Sequence, residues 1–145
     1  MRRPLTRAGN RIAVGLYRRL NGRLSSGRKD VNVLLITVPG RRTGQPRSTC
    51  VRFLQTPDGP VVWGTGSGST RDPDWFRNLR AADVAEVQID RDRIRVRPRE
   101  LTGAARDTMW ADTILRRAPE VARYARKASR TIPVAILHPL DHLGD

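Results

Sequence analysis

Val31-Asn32-Val33-Leu34-Leu35-Ile36-Thr37-Val38 is a nearly continuous apolar run; Pro39-Gly40-Arg41-Arg42-Thr43-Gly44-Gln45-Pro46 breaks it, and Arg47 to Gln55 resumes an extended pattern. Apolar runs of this length bounded by Gly and Pro read as strands. The break is too short for a helical crossover, so the two strands pair antiparallel. The same logic holds downstream. Pro57-Asp58-Gly59 turns the chain into Val61-Val62-Trp63. Ala85, Val87 and Ile89 alternate with Glu86, Gln88 and Asp90; after Arg91-Asp92, Ile94 and Val96 alternate with Arg93, Arg95, Arg97 and Arg99. That is a half-buried hairpin with an arginine-lined outer face. Ile132, Val134 and Ile136 form a last strand. Strands joined by tight turns predict an antiparallel sheet or barrel, mainly β with flanking helices, rather than a doubly wound sheet.

The helices surround this sheet in sequence. Leu5, Ala8, Ile12, Leu16, Leu20 and Leu24 recur at three- and four-residue steps among Arg7, Arg11, Arg18, Arg19 and Arg23, which predicts a basic amphipathic helix. Ser25 to Asp30 reads as a linker. Asp72 is placed to cap a short helix with Pro73 in its first turn, burying Trp75 and Leu79. Trp110, Ile114 and Leu115 mark a helix over 104–118, and Pro119 opens another to about Ser129. The chain therefore divides into an N-terminal helix and linker (1–30), a barrel (31–140) and a tail (141–145). His138 and His142, with Asp141 between them, read as a frayed end, and no metal is assigned.

Composition bounds the partners without choosing one. With 145 residues and 38% hydrophobic content the chain supports one modest core. A net charge of +14 favours phosphates, carboxylate tails, nucleic acid or anionic lipid. Only Lys29 and Lys127 are lysine; arginine's planar fork suits bidentate contact with such anions, although a coding preference for arginine explains the ratio as well. Cys50 is the single cysteine, which fits a reducing, cytoplasmic compartment. Val33 to Ile36 is far short of the roughly 20 residues of a membrane span, and Met1-Arg2-Arg3-Pro4 leads into no signal-peptide core. The basic helix could still lie on an anionic membrane surface, though such helices more often pack on their own domain.

Two segments carry chemistry. Gly40-Arg41-Arg42-Thr43-Gly44-x-x-Arg47 follows a buried strand; its glycines can take positive φ and bare backbone N–H groups beside three guanidinium groups, an anion cradle or an ordinary basic hairpin turn. Gly64 to Gly68 suggests a dinucleotide loop, but Ser69 stands where a third glycine is needed and Asp72-Pro73 delays the helix, so the Rossmann reading fails.

Thr37-x-x-Gly40-Arg41-Arg42-Thr43-Gly44-x-x-Arg47, followed by Pro73-x-Trp75-Phe76-x-Asn78-Leu79 and by Arg130-Thr131-Ile132-Pro133 before the last strand, closely resembles the deazaflavin-dependent nitroreductase family over roughly residues 31 to 138. The resemblance implies a split β-barrel of the FMN-binding, pyridoxamine-phosphate-oxidase-like kind. It implies the reduced deazaflavin coenzyme F420 as cofactor, with FMN the less favoured alternative, and hydride transfer to a quinone-like or nitro acceptor. Arg41, Arg42, Thr43, Gly44 and Arg47 would hold the coenzyme's phosphate and glutamate tail. Thr65, Gly66, Ser67, Gly68 and Trp75 would border its ring. Relatives commonly carry Ser-Lys-Gly-Gly where this chain has Thr65-Gly66-Ser67-Gly68, so a lysine is missing at Gly66. Relatives acting on bicyclic nitroimidazoles also present several late-helix tyrosines; here Tyr124 stands with Ala118 and Val121. Tyr124 is the candidate proton or hydrogen-bond donor, or simple packing.

Two other functions compete with the reductase: a noncatalytic coenzyme- or lipid-binding barrel, and a basic nucleic-acid-binding barrel. The latter lacks a stacking platform at 5% aromatic content, so no specific nucleic acid is expected. A homodimer and peripheral membrane contact through residues 1–30 complete the expected partners.

Overall fold

The structure is a computed structural model that describes residue 14, residues 25–28 and residues 31–142. The predicted helix over 5–24 lies outside these apart from Val14, which is helical and buried. Among the described residues the strands are β1 (Ser25–Arg28), β2 (Val31–Pro39), β3 (Pro46–Thr56), β4 (Gly59–Trp63), β5 (Ala85–Ile89), β6 (Asp92–Leu101) and β7 (Val134–His142). Their order is β1-β2-β3-β4-β7-β6-β5, every pairing is antiparallel, and β5 returns to β2. Strands β2 to β7 thus close a barrel, which removes the exposed sheet edges an open sheet would have.

Alternation decides what lies inside. Leu34, Ile36 and Val38 of β2, Val51 and Phe53 of β3, Val62 of β4, Ala85 and Val87 of β5, Val96 of β6 and Leu137 of β7 form the inner cluster. Each fully buried large side chain here contributes roughly 1.5–3 kcal/mol. β2 is apolar on both faces for a local reason: Leu35, outside the barrel, is covered by Val14 beside Val33 and Cys50. Arg93, Arg95, Arg97 and Arg99 point outward and are exposed, as the alternation requires.

The register sorts the connections. Pro39↔Pro46, Trp63↔Val134 and Leu101↔Val134 put the exits of β2, β4 and β6 at one end of the barrel, where the long connections emerge. Tight turns close the opposite end, at Pro57-Asp58 and at Asp90-Arg91, where Asp90 takes φ 53°. The long connections hold α1 (Asp74–Ala81), then α2 (Gly103–Thr108), a π-helical turn (Met109–Ile114), α3 (Leu115–Arg117) and α4 (Val121–Ala128). The late helices cover a second apolar cluster on the outer barrel wall, with Ile114, Ala118 and Val121 against Leu54, Val61 and Ile136. Arg52 of β3 pairs with Glu120 beside them.

Several expectations are corrected. Ser25–Arg28 is a strand on the edge of β2, not a linker. β7 runs through His138, Asp141 and His142, whose backbones pair with β6, so the barrel passes the predicted boundary at 140 and no frayed end begins there. The helix over 104–118 is broken by the π turn, where Arg106 stacks 4.8 Å from the Trp110 ring and donates to Ile132 O. Asp72 does not cap α1: Pro73 holds the cap position without a side-chain hydrogen bond, and the buried face is Phe76, Asn78 and Leu79, with Trp75 half-buried.

Candidate functional site

The basic loop between β2 and β3 is a closed turn. Gly40 N–H donates to Gln45 O and Gly44 N–H to Gly40 O, both at 2.8 Å. Only Gly44 takes a positive φ, 74°; Gly40 does not, contrary to the sequence expectation. A Cβ built on Gly44 would meet nothing within 4 Å, so open space lies beside this turn.

The three arginines of the loop do not act alike. Arg41 faces inward: its backbone N–H donates to Asn78 Oδ1 at 3.1 Å, its Nη1 to the same oxygen at 2.7 Å, and its Nη2 to Asp74 Oδ1 at 3.2 Å. Arg42 and Arg47 are exposed and have no acidic partner among the described residues. Arg47 stays close to the turn, its Nε 3.6 Å from a Cβ placed on Gly40. The loop therefore spends one guanidinium on α1 and leaves two for an anion.

The glycine loop leaves β4 at the same barrel end. Thr65 is αR and Gly66 takes φ 55°, followed by Ser67 at 56° and Gly68 at 87°. Such a change of hand turns successive N–H groups toward a common point, an anion-binding concavity. Arg130, just past α4, fixes the loop from behind. Its Nε donates to Ser69 O at 3.1 Å, and its Nη2 to Gly64 O at 3.0 Å, Thr65 O at 3.2 Å and Arg71 O at 2.9 Å. A trans peptide points its N–H opposite to its C=O, so the N–H groups of Thr65 and Gly66 face away from Arg130. The Asp72 carboxylate neutralises this fork through Arg130 Nη1 at 2.7 Å and takes Arg80 Nη2 on its other oxygen at 3.0 Å. Burial lowers the Arg130 guanidinium from its ordinary value while Asp72 opposes the shift. Hydrogen bonding to Glu100 raises Arg80 above its usual range, against the effect of burial.

The N-terminal half of α1, with its cap residue Pro73, joins the two loops. Asp74 and Asn78 hold Arg41 of the basic loop. Pro73 packs on the glycine loop, its Cδ 3.2 Å from a Cβ placed on Gly64 and its Cβ 3.7 Å from one on Gly66. Trp75, half-buried, meets Phe76 edge-on at 5.4 Å. From the other side α4 lays Lys127 across Gly68, with stem carbons 2.7–3.0 Å from where a Cβ would stand. Tyr124 is half-buried one turn earlier on that face, with the Arg123 guanidinium 5.7 Å from its ring. Ala118 and Val121 are buried in the outer wall cluster.

Arg41, Arg42, Thr43, Gly44, Arg47, Thr65, Gly66, Ser67, Gly68 and Trp75 thus lie at one barrel end. Sequence reasoning missed Asn78, Asp72 and Arg130 as organisers. Asn78 and Arg130 stand inside the quoted motifs, but their partners lie 37 and 58–66 residues away, beyond any local periodicity.

Comparison with known proteins gives the same reading. The F420H(2)-dependent quinone reductase family model matches residues 9–139. An F420H(2)-dependent quinone reductase of Mycobacterium tuberculosis is 27% identical over 130 residues, 88% of this chain and 87% of that protein. A solved F420-H2 dependent reductase superposes with a TM-score of 0.65 at 25% identity, covering 73% of this chain and 93% of that one. A further solved structure, described only as a domain-swapped dimer, shares the fold with a TM-score of 0.67 at 24% identity, covering 88% of this chain and 96% of that one. Among the described residues no helix is long and apolar enough to cross a membrane. A split barrel with two motif loops at one end, matched along nearly its whole length, belongs to the F420H(2)-dependent quinone reductase family and is an F420H2-dependent oxidoreductase.

Proposed function

We propose that this chain holds F420 across the two loops and reduces a quinone-like acceptor. One observation carries the reading: the N-terminal half of α1 with Pro73 holds Arg41 on one side and packs on the glycine loop on the other, so one helix ties the two loops together. The residues fit the coenzyme's chemistry. Arg42 and Arg47 are exposed, without acidic partners among the described residues, and stand beside open space at Gly44, which suits an anionic tail. Thr43 supplies turn geometry through its Oγ1, which accepts from Gln45 N–H at 3.2 Å. Arg41 is a positioning residue.

The loop from Thr65 to Gly68, with Trp75, borders the ring; small residues and positive φ let backbone approach a flat ligand closely. Bound deazaflavin supplies the hydride. The protein contributes orientation and exclusion of water. Reduction of a quinone to a hydroquinone takes up one hydride and one proton, and in this reading half-buried Tyr124 would donate a hydrogen bond to the acceptor oxygen.

A quinone is favoured over a nitro compound for two reasons. The Mycobacterium tuberculosis relative is named a quinone reductase. On α4 only Tyr124 is tyrosine, and Ala118 and Val121 are buried in packing. The basic N-terminal segment, residues 5–24, would bring such a reductase to an anionic membrane holding lipid-soluble quinone; vesicles containing anionic lipid should co-sediment the full chain, and neutral ones should not. The central test follows F420H2 oxidation anaerobically with a soluble quinone and with a bicyclic nitroimidazole. Quinone-dependent turnover is expected, and preference for the nitroimidazole would overturn the acceptor assignment.

A further inference from the structure

The glycine loop carries only Gly, Ser and Thr side chains, yet a cation is laid over it from elsewhere in the chain. Lys127 is one of two lysines in a protein of 28 basic residues. Its Cβ, Cγ and Cδ lie 3.0, 2.9 and 2.7 Å from the position a Cβ would take on Gly68, so the stem runs along the loop in the space that a glycine leaves. Gly68 is itself buried, while Lys127 is exposed and its ammonium has no acidic partner among the described residues. The neighbouring cation, Arg130, is used up on backbone carbonyl groups and on Asp72. Together these features give an apolar stem lying along the loop, a head group without an acidic partner among the described residues, and, on the same loop, the Thr65 and Gly66 N–H groups turned away from Arg130.

We infer that Lys127 of α4 is a coenzyme-binding residue, supplying from across the glycine loop the positive charge that the loop itself lacks, and that it pairs with a negatively charged or strongly polarised oxygen of the bound deazaflavin coenzyme. This rests on the reading that the glycine loop borders the coenzyme. The alternative role, a hydrocarbon lid on Gly68, needs the stem but not the charge. Methionine keeps an unbranched stem and removes the ammonium, so Lys127→Met separates the two.

The experiment titrates wild-type protein, Lys127→Met, Lys127→Arg, Arg42→Ala and Arg47→Ala with oxidised F420, following coenzyme fluorescence at low and high salt. Thermal unfolding serves as a folding control. Lys127→Met should weaken binding by about tenfold and flatten its salt dependence, with Lys127→Arg restoring most of the affinity. The deazaflavin riboside, which lacks phosphate and glutamates, distinguishes the oxygen: weakened riboside binding places Lys127 on the ring, and unchanged riboside binding beside weakened F420 binding places it on the tail. Wild-type affinity for F420 in Lys127→Met would overturn the inference while leaving the coenzyme reading intact, provided Arg42→Ala and Arg47→Ala are weakened. Absence of saturable binding in the wild type would sink both.

Discussion

Arg41 donates twice to one oxygen, Asn78 Oδ1, from its backbone N–H at 3.1 Å and from Nη1 at 2.7 Å. Asn78 is the buried polar side chain of the inner α1 face, only 7% exposed, so this acceptor is the means by which the helix fixes the loop. Removing it leaves a backbone donor and part of a guanidinium without their acceptor. Asn78→Ala should destabilise the fold by about 2 kcal/mol, measured by urea unfolding, and should also weaken F420 binding because the loop loses its anchor. Asn78→Ala with wild-type stability would show that the clasp contributes nothing.

Arg42 and Arg47 lie on the other side of the same turn, where exposure and the lack of acidic partners among the described residues make them dispensable for folding. Arg42→Ala and Arg47→Ala should each raise the dissociation constant for F420 by about tenfold, with little change in unfolding midpoint. Arg91→Ala, in the tight turn between β5 and β6 at the opposite barrel end, removes a similar exposed charge and should leave the affinity unaltered. Equal losses in all three would reduce the effect to net charge.

How much of this was legible beforehand depended on the range of the interaction. β2, β3 and the β5–β6 hairpin were readable because alternation such as Ala85, Val87 and Ile89 is a local record of which face is buried. Ser25–Arg28 was not, since its composition is that of a loop and its strand character comes from pairing with β2. The site divided in the same way. Gly40 to Arg47 stood out as a contiguous basic turn, whereas the division of labour among its arginines depends on Asn78, which the fold alone brings near. Asp72 reads as a helix cap because it precedes Pro73; Arg80, in the last turn of the same helix, and Arg130, just past α4, outcompete the helix N-terminus for its carboxylate.

Arg130 is the residue whose geometry a lysine cannot reproduce. Its guanidinium reaches four backbone carbonyl oxygens and the Asp72 carboxylate with a side chain only 15% exposed. An ammonium keeps the charge but offers three donors from a single point. Arg130→Lys should therefore lose about 2 kcal/mol of stability and, because the glycine loop is no longer held, lower kcat/KM for F420H2 further than Lys127→Met does. Wild-type stability and kcat/KM in Arg130→Lys would mean that the loop holds its own shape.

Two glycines at opposite barrel ends separate stability from binding. Gly59 takes φ 126°, and a Cβ there would strike the Leu137 carbonyl oxygen and stand 2.9 Å from Pro139 Cδ, both on the neighbouring strand β7, which cannot yield without opening the sheet. Gly68 takes φ 87°, but the atoms a Cβ would meet belong to the flexible Lys127 stem, which can swing into solvent. Gly59→Ala should thus cost about 3 kcal/mol or more, yet leave coenzyme affinity unchanged in the fraction that folds. Gly68→Ala should cost about 1–2 kcal/mol through its backbone angle and displace Lys127, weakening F420 binding to the level of Lys127→Met. Combining Gly68→Ala with Lys127→Met should add little further loss of affinity, because both remove the same ammonium from the loop. Fully additive losses would show that Gly68 serves the coenzyme independently of Lys127.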